Sequence, residues 1–261
     1  MNKIYSQNYF FFVSLIIGIG FLSSCRTPVN AVYFSDLDST KVRQLSAAEF
    51  KEPLIQTDDI LSVTVQTIDE VSTAALNQKQ TAETAAGVGT APITGFLVDK
   101  GGNIEMPMLG VVKLSGLTTT QAKEVIRNKA AKFYKEPTVQ VRFANYKITV
   151  LGEVTKPASY TVPNEKVTVL DAISMAGDLT IYGKRENVML IRDNGSKKEV
   201  VRLNLNSSSL ISSPYFYLKQ NDVLYVEPTR AKIAANNAPR TQIITIAIAF
   251  GTLLVTLLTR L

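Results

Sequence analysis

The chain has 261 residues with 28 Lys and Arg against 22 Asp and Glu, a formal charge of +6, no histidine and one cysteine. Without an imidazole base, a partnered thiol nucleophile or a zinc constellation, the usual hydrolytic and metal chemistries drop out, and no catalytic, cofactor or metal site is expected. The basic residues are spread without a long run of like charge, which argues against a nucleic-acid arm.

Near the start, Lys3 precedes an apolar stretch from Tyr9 to Leu22, YFFFVSLIIGIGFL, and then LSSC. A basic region, an apolar region and small residues in that order predict a secretory signal over residues 1–24. Leu22, Ser23, Ser24 and Cys25 resemble a bacterial lipobox, in which the cysteine is lipidated and becomes the first mature residue. Cys25 is therefore the expected lipid attachment site, followed by an N-terminal lipidated segment over 25–52. With one cysteine there is no internal disulfide to form, so the fold rests on its core.

In DDILSVTVQTI, Leu61, Val63 and Val65 alternate with Ser62, Thr64 and Gln66, the period of a half-buried strand. The following stretch is rich in Ala, Thr, Gln and Gly and predicts a mobile insertion over 72–92. ITGFLVDKGGNIEMPMLG predicts a hairpin turning at Asp99 to Asn103, with Phe96 and Val98 before and Ile104 and Met106 after. Thr118 and Gln121 have capping-box spacing and open a helix whose one face carries Ala122, Val125, Ile126, Ala130 and Phe133. Pro137 stops it before the strand TVQVRF. The only acids singled out, Glu136 and Asp171, read as a loop charge and a first-turn helix acid, not as catalysts.

A second unit begins near Lys147. YKITVLGEVTKPASYTVP predicts two strands around Lys156 and Pro157, and TVLDAISMAGD a brief helix closed by Gly177. ENVMLIRDNGSKKEVVRLNL predicts a hairpin on Asn194 and Gly195. The closing QNDVLYVEP echoes the first unit, Asp222 to Val226 matching Asp59 to Val63. The fold class is α+β: two small sheet-and-helix modules in series, over 53–143 and 147–228, then a linker at 229–240.

The chain closes with TQIITIAIAFGTLLVTLLTRL, a predicted transmembrane helix over 241–261. Its apolar core, Ile243 to Leu258, is about 24 Å long at ~1.5 Å per residue, short of a bilayer core of about 30 Å and better suited to the thinner bacterial outer membrane. Arg230, Lys232 and Arg240 precede the run and only Arg260 follows, opposite to the bias of an inner-membrane helix with a secreted N-terminal side. Thr241, Thr245, Thr252, Thr256 and Thr259 recur at helical spacing with Ala249 between them, so Thr245, Ala249, Thr252, Thr256 and Thr259 are candidate pore-lining positions. Small residues that let helices approach closely are the competing reading.

These phrases in this order resemble the Wza-like outer-membrane polysaccharide export proteins. DDILSVTV, GNIEMPMLGVVKLSGLTTTQA and YKEPTVQV resemble the family's polysaccharide export domain; VLGEVTKPASYTV, TVLDAISMAGD and LKQNDVLYVEP resemble its soluble-ligand-binding (SLBB) β-grasp domain. The family's usual Gly-Asp is replaced by Asp58-Asp59 and Asn221-Asp222, residues that tolerate the left-handed turn glycine favours. Only one β-grasp module precedes the terminal helix here, whereas the best-known members have more.

The resemblance implies a lipid-anchored outer-membrane protein with its bulk in the periplasm. Copies would form a homo-oligomeric ring, a conduit for capsular polysaccharide or exopolysaccharide, working with an inner-membrane chain-length regulator or tyrosine kinase. It implies no cofactor and no nucleic-acid partner. The alternative reading is a periplasmic glycan- or DNA-binding lipoprotein docked to an envelope complex. The chain has no tryptophan and no evident aromatic cluster, which weighs against tight capture of sugars or bases.

Overall fold

The computed structural model describes residues 32–38, 40–77, 94–195 and 197–260. The expected signal and Cys25 lie outside them. Two hydrophobic cores, one per module, organise the described chain.

In the first module β1 (Ile60–Gln66) is the middle strand, antiparallel both to β2 (Phe96–Leu97) and to β5 (Thr138–Phe143). The alternation read in the sequence puts Leu61, Val63 and Val65 into the core, where Val63 lies opposite Val141. Burial of each such side chain contributes about 1.5–3 kcal/mol. A helix, α1 (Glu70–Leu76), follows β1, capped by Asp69 and burying Leu76. The first residues of the stretch expected to be a mobile insertion are therefore helical and reach the core. Residues 78–93 of that region lie outside the described residues.

The expected hairpin is also redistributed. Asp99 and Asn103 close a turn, the Asp99 N–H donating to Asn103 O at 2.8 Å, but the segments on either side do not pair with each other. Instead β2 joins β1, and β3 (Asn103–Met106) pairs with β4 (Gly110–Lys113). The turn between β3 and β4 uses Met108 at φ +64° and Gly110 at φ +70°. Methionine is a poor signal for a left-handed position, which hid this turn in the sequence.

The capping box is present at the start of α2 (Thr119–Ala130): Gln121 N–H donates to Thr118 Oγ1 and Thr118 N–H to Gln121 Oε1. Ala122, Ile126 and Ala130 are buried, but Val125 and Phe133 are exposed. The helix ends at Ala130, so Phe133 leaves the helical track that the spacing assumed.

In the second module β6 (Lys147–Gly152), β7 (Ala158–Thr161), β8 (Gly183–Asp193), β9 (Lys198–Leu203) and β10 (Val223–Pro228) form one sheet in the order β7-β6-β10-β8-β9. β10 is parallel to β6 and antiparallel to β8. Between β7 and β8, α3 (Val169–Met175) is held by a second capping box, Thr168 with Asp171, and ends ahead of Gly177 at φ +72°. The turn between β8 and β9 spans the four residues 194–197, because Asp193 pairs with Lys198; Gly195 takes φ +78° within it.

The stretch expected to be a linker is helical from its second residue, since α4 runs unbroken over Arg230–Arg260. Among the described residues no helix is long and apolar enough to cross a membrane. The expectation of a transmembrane segment is met as to helix and not as to span. Threonines and Gly251 interrupt the apolar run, and side chains are described over 242–254 and at Thr256.

Candidate functional site

Three features bear on function: the junction between the modules, the segment before the first module, and α4.

The junction is built from the repeated strand start. Asp58 at φ +67° and Asn221 at φ +64° occupy the same left-handed position before β1 and β10. In each case the next residue turns its carboxylate back on the chain: Gln56 N–H donates to Asp59 Oδ2 and Lys219 N–H to Asp222 Oδ2, both at 2.7 Å. The sequence echo is thus a structural one, an aspartate that closes the turn feeding a central strand.

The two copies of this device meet. Gln220 Nε2 donates to Asp59 Oδ1 at 2.9 Å and to Asn145 Oδ1 at 3.3 Å, and Ile60 N–H donates to Asn145 Oδ1 at 3.0 Å. A second tie runs from Thr119 Oγ1 to Glu165 Oε2 at 3.1 Å. Phe143 packs against both cores, its ring 5.9 Å from that of Tyr146. Burial raises the pKa of Asp59 against the opposing pull of its donors from Gln56 and Gln220. Burial likewise raises that of Glu165, with Glu52 adding repulsion.

Asp222 carries the heavier load. It is 1% exposed and receives Arg192 through Nε at 3.0 Å and Nη2 at 2.7 Å, while Arg192 Nη2 also donates to Tyr217 O at 3.1 Å. This buried pair pins β8 to the turn before β10.

The segment expected to be a lipidated leader over 25–52 does not hang free where it is described. Phe34 N–H donates to Leu205 O at 3.2 Å, Ala48 N–H to Ile211 O at 2.8 Å, and Asp36 accepts from Ser208 N–H at 2.9 Å. Phe50 stacks edge-on against Tyr217 at 5.2 Å, with the Lys166 ammonium over both rings. The chain thus docks along the second module before it enters the first at Ile55, whose N–H donates to Leu117 O. Phe50, Phe216 and Tyr217 form an aromatic cluster, but its rings pack against one another, Tyr217 meeting both Phe50 and Phe216 edge-on.

Of the predicted pore-lining residues, Thr245, Ala249, Thr252 and Thr256 are exposed on α4; the side chain of Thr259 is outside the described residues. Thr252 Oγ1 donates to Ala249 O at 2.9 Å, and Thr256 Oγ1 to the carbonyls of Thr252 and, at 3.2 Å, Leu253. Such back-bonding satisfies a hydroxyl within its own helix, so the threonines suit water or a neighbouring helix equally. The stripe is also not purely polar. Ile248, three residues after Thr245 and four before Thr252, falls on the same track. Round the rest of the helix Ile243, Ile244, Ile246, Phe250, Leu253 and Leu254 are each more than half exposed. Apolar side chains in such density call for lipid or protein to cover them.

Comparison with known proteins identifies the two modules. Residues 47–144 match the family model described as polysaccharide biosynthesis/export protein, and residues 147–201 match the SLBB domain. The second match ends before β10, which the structure puts in the middle of the same sheet. The chain is similar to the EPS I polysaccharide export outer membrane protein EpsA of Ralstonia solanacearum, 29% identical over 180 residues that make up 67% of this chain and 47% of the relative. The corresponding protein of Ralstonia nicotianae is 28% identical over 66% of this chain and 46% of its own length. The exopolysaccharide production protein ExoF of Rhizobium meliloti is 35% identical over 105 residues, 38% of this chain and 24% of that protein. The chain thus spans about half the length of the Ralstonia relatives. The two matches agree with the resemblance read in the sequence: residues 47–144 carry a polysaccharide biosynthesis/export module and residues 147–201 an SLBB domain, in the order of the Wza-like export proteins.

Proposed function

We propose that this protein is an outer-membrane polysaccharide export lipoprotein, copies of which assemble into a ring that conducts an exopolysaccharide or capsular polysaccharide out of the periplasm. The observation that carries the reading is α4: a helix with exposed apolar side chains on most of the circumference described, attached to an export module and an SLBB domain. In this reading Cys25 is the lipid attachment site and the two modules form the periplasmic body. Over its described residues a single α4 is not long and apolar enough to cross a membrane, so in this reading the α4 helices of several copies stand side by side and enter the outer membrane, which is thinner than average, only as a ring. Helices satisfy their own backbone groups, so a ring of them needs no strands to line an opening. An inner-membrane chain-length regulator or tyrosine kinase is the partner this role requires at the other end of the path.

The relatives support the substrate class, since the Ralstonia proteins are named for polysaccharide export and for the outer membrane. Native mass measurement of the full chain extracted in detergent tests the assembly. The expected result is one discrete high-mass species, an integer multiple of the protomer, that persists on dilution. A monomer under the same conditions contradicts the conduit and favours a binding lipoprotein.

A further inference from the structure

The stretch from Asp178 to Arg185, the loop after α3 and the start of β8, receives contacts from the N-terminal segment and from the root of α4. On one side Tyr33 donates its hydroxyl to Asp178 Oδ1 and lays its ring over the Arg185 guanidinium, 5.5 Å from ring centre to Cζ. On the other side, Thr229 N–H donates to Tyr182 O at 2.7 Å at the root of α4. Lys232, in the first turn of α4, sets its ammonium over the Tyr182 ring at 5.4 Å and pairs with Glu153 at 3.2 Å. Glu153 in turn accepts from Thr180 Oγ1 at 2.7 Å.

We propose that this loop is a joint that couples docking of the N-terminal segment to seating of the root of α4. The inference goes beyond the export reading and needs neither a ring nor a bilayer.

Arg185 is the centre of the joint. Its side chain is 6% exposed and holds the loop backbone by donating to Leu179 O at 3.3 Å and to Thr180 O at 3.4 Å. Its Nε is buried without a partner, so the guanidinium stays in place through the ring above it, the carbonyls beside it and the Asp178 carboxylate, whose Oδ2 lies 3.9 Å from Nη2. Removing the Tyr33 ring admits water to a buried charge. The guanidinium then gains by turning outward, which releases Thr180, and through Thr180 the Glu153–Lys232 pair. Burial and the neighbouring Asp178 both raise the Tyr33 pKa, so the phenol remains a donor throughout the physiological range. Gly183 keeps the loop tight against the sheet: a Cβ there would lie 2.9 Å from Glu153 O. The contacts run unbroken from Tyr33 to Thr229, which is what two-way coupling requires.

Amide hydrogen exchange on the full chain in detergent tests this. Tyr33→Ala is expected to speed exchange of the Thr229 and Lys232 amides about tenfold, and Lys232→Met to speed that of the Phe34 amide comparably, because coupling free energy is reciprocal. Unchanged exchange at Thr229 while the Phe34 amide is released would overturn the joint. If Tyr33→Ala loosens the whole module, seen as faster exchange along β10, then Lys232→Met decides, because it leaves the Tyr33 ring over Arg185 in place. Faster exchange at the Phe34 amide with β10 unchanged supports the joint, and no change at Phe34 contradicts it.

Discussion

Replacing Asp222 by alanine is expected to destabilise the protein by about 3–5 kcal/mol, because it leaves a buried guanidinium without its counter-charge. Arg192 and Asp222 are 4% and 1% exposed, so neither can recover its lost partner from water. The substitution also orphans the Lys219 N–H that Asp222 accepts, opening the turn before β10. Asp222→Asn keeps an acceptor for that amide and should cost less. Thermal unfolding followed by near-ultraviolet circular dichroism of the tyrosines measures both. The exposed pair Lys198–Asp193 provides the contrast, since breaking it should shift stability by less than about 1 kcal/mol. An Asp222→Ala loss as small as that would show the buried pair to be dispensable.

The second large effect is expected at Gly152, where β6 leaves its parallel pairing with β10. Gly152 has φ +91°, and a Cβ there would lie 2.1 Å from Val226 O and 2.9 Å from Val226 C. Both atoms are backbone and cannot swing aside. Gly152→Ala therefore combines an unfavourable dihedral with forced separation of two central strands, together about 2–6 kcal/mol. Gly195 separates the two causes: its φ is +78° but a Cβ meets nothing within 4 Å, so Gly195→Ala should cost only about 1 kcal/mol. Equal losses at the two positions in chemical denaturation would mean that the close approach to Val226 contributes nothing.

Period and capping were legible in the sequence. The alternation of β1, the capping box at Thr118 and the stop at Gly177 stand where the residues put them, because each depends on neighbours within a few positions. Pairing was less legible, because it depends on partners far along the chain. Phe96 and Val98 look like one arm of a local hairpin, yet β2 pairs back to β1 across a long separation.

The buried Arg192 was in fact readable. It sits two residues beyond Leu190 and four beyond Val188, both buried, so period 2 points it into the core and demands an acid to meet it. The repeat of Asp59 and Asp222 is visible as an echo of sequence; their common task, closing the turn before a central strand, emerges only in the fold. Docking of residues 33–50 was not legible. The segment has no periodicity and is held through scattered contacts such as those of Tyr33, Asp36 and Phe50. The continuation of α4 through the expected linker was also hidden, since Pro239 and the paired Asn236 and Asn237 read as a break.

The claim at the centre of this account, that α4 forms the wall of an opening, turns on which positions meet water in the assembled protein. Single cysteines at Thr245, Thr252 and Thr256, in a chain whose one native cysteine is Cys25, can be probed in intact cells with a membrane-impermeant thiol reagent. The account predicts modification at these three positions and at Ile248→Cys, which shares their track despite its apolar native side chain, with protection at Ile246, Phe250 and Leu253. Ile248 separates position from residue type, because a stripe selected only for small residues at a helix–helix seam gives it no access. Equal protection at all seven positions would contradict the opening and leave α4 as a packing and anchoring helix.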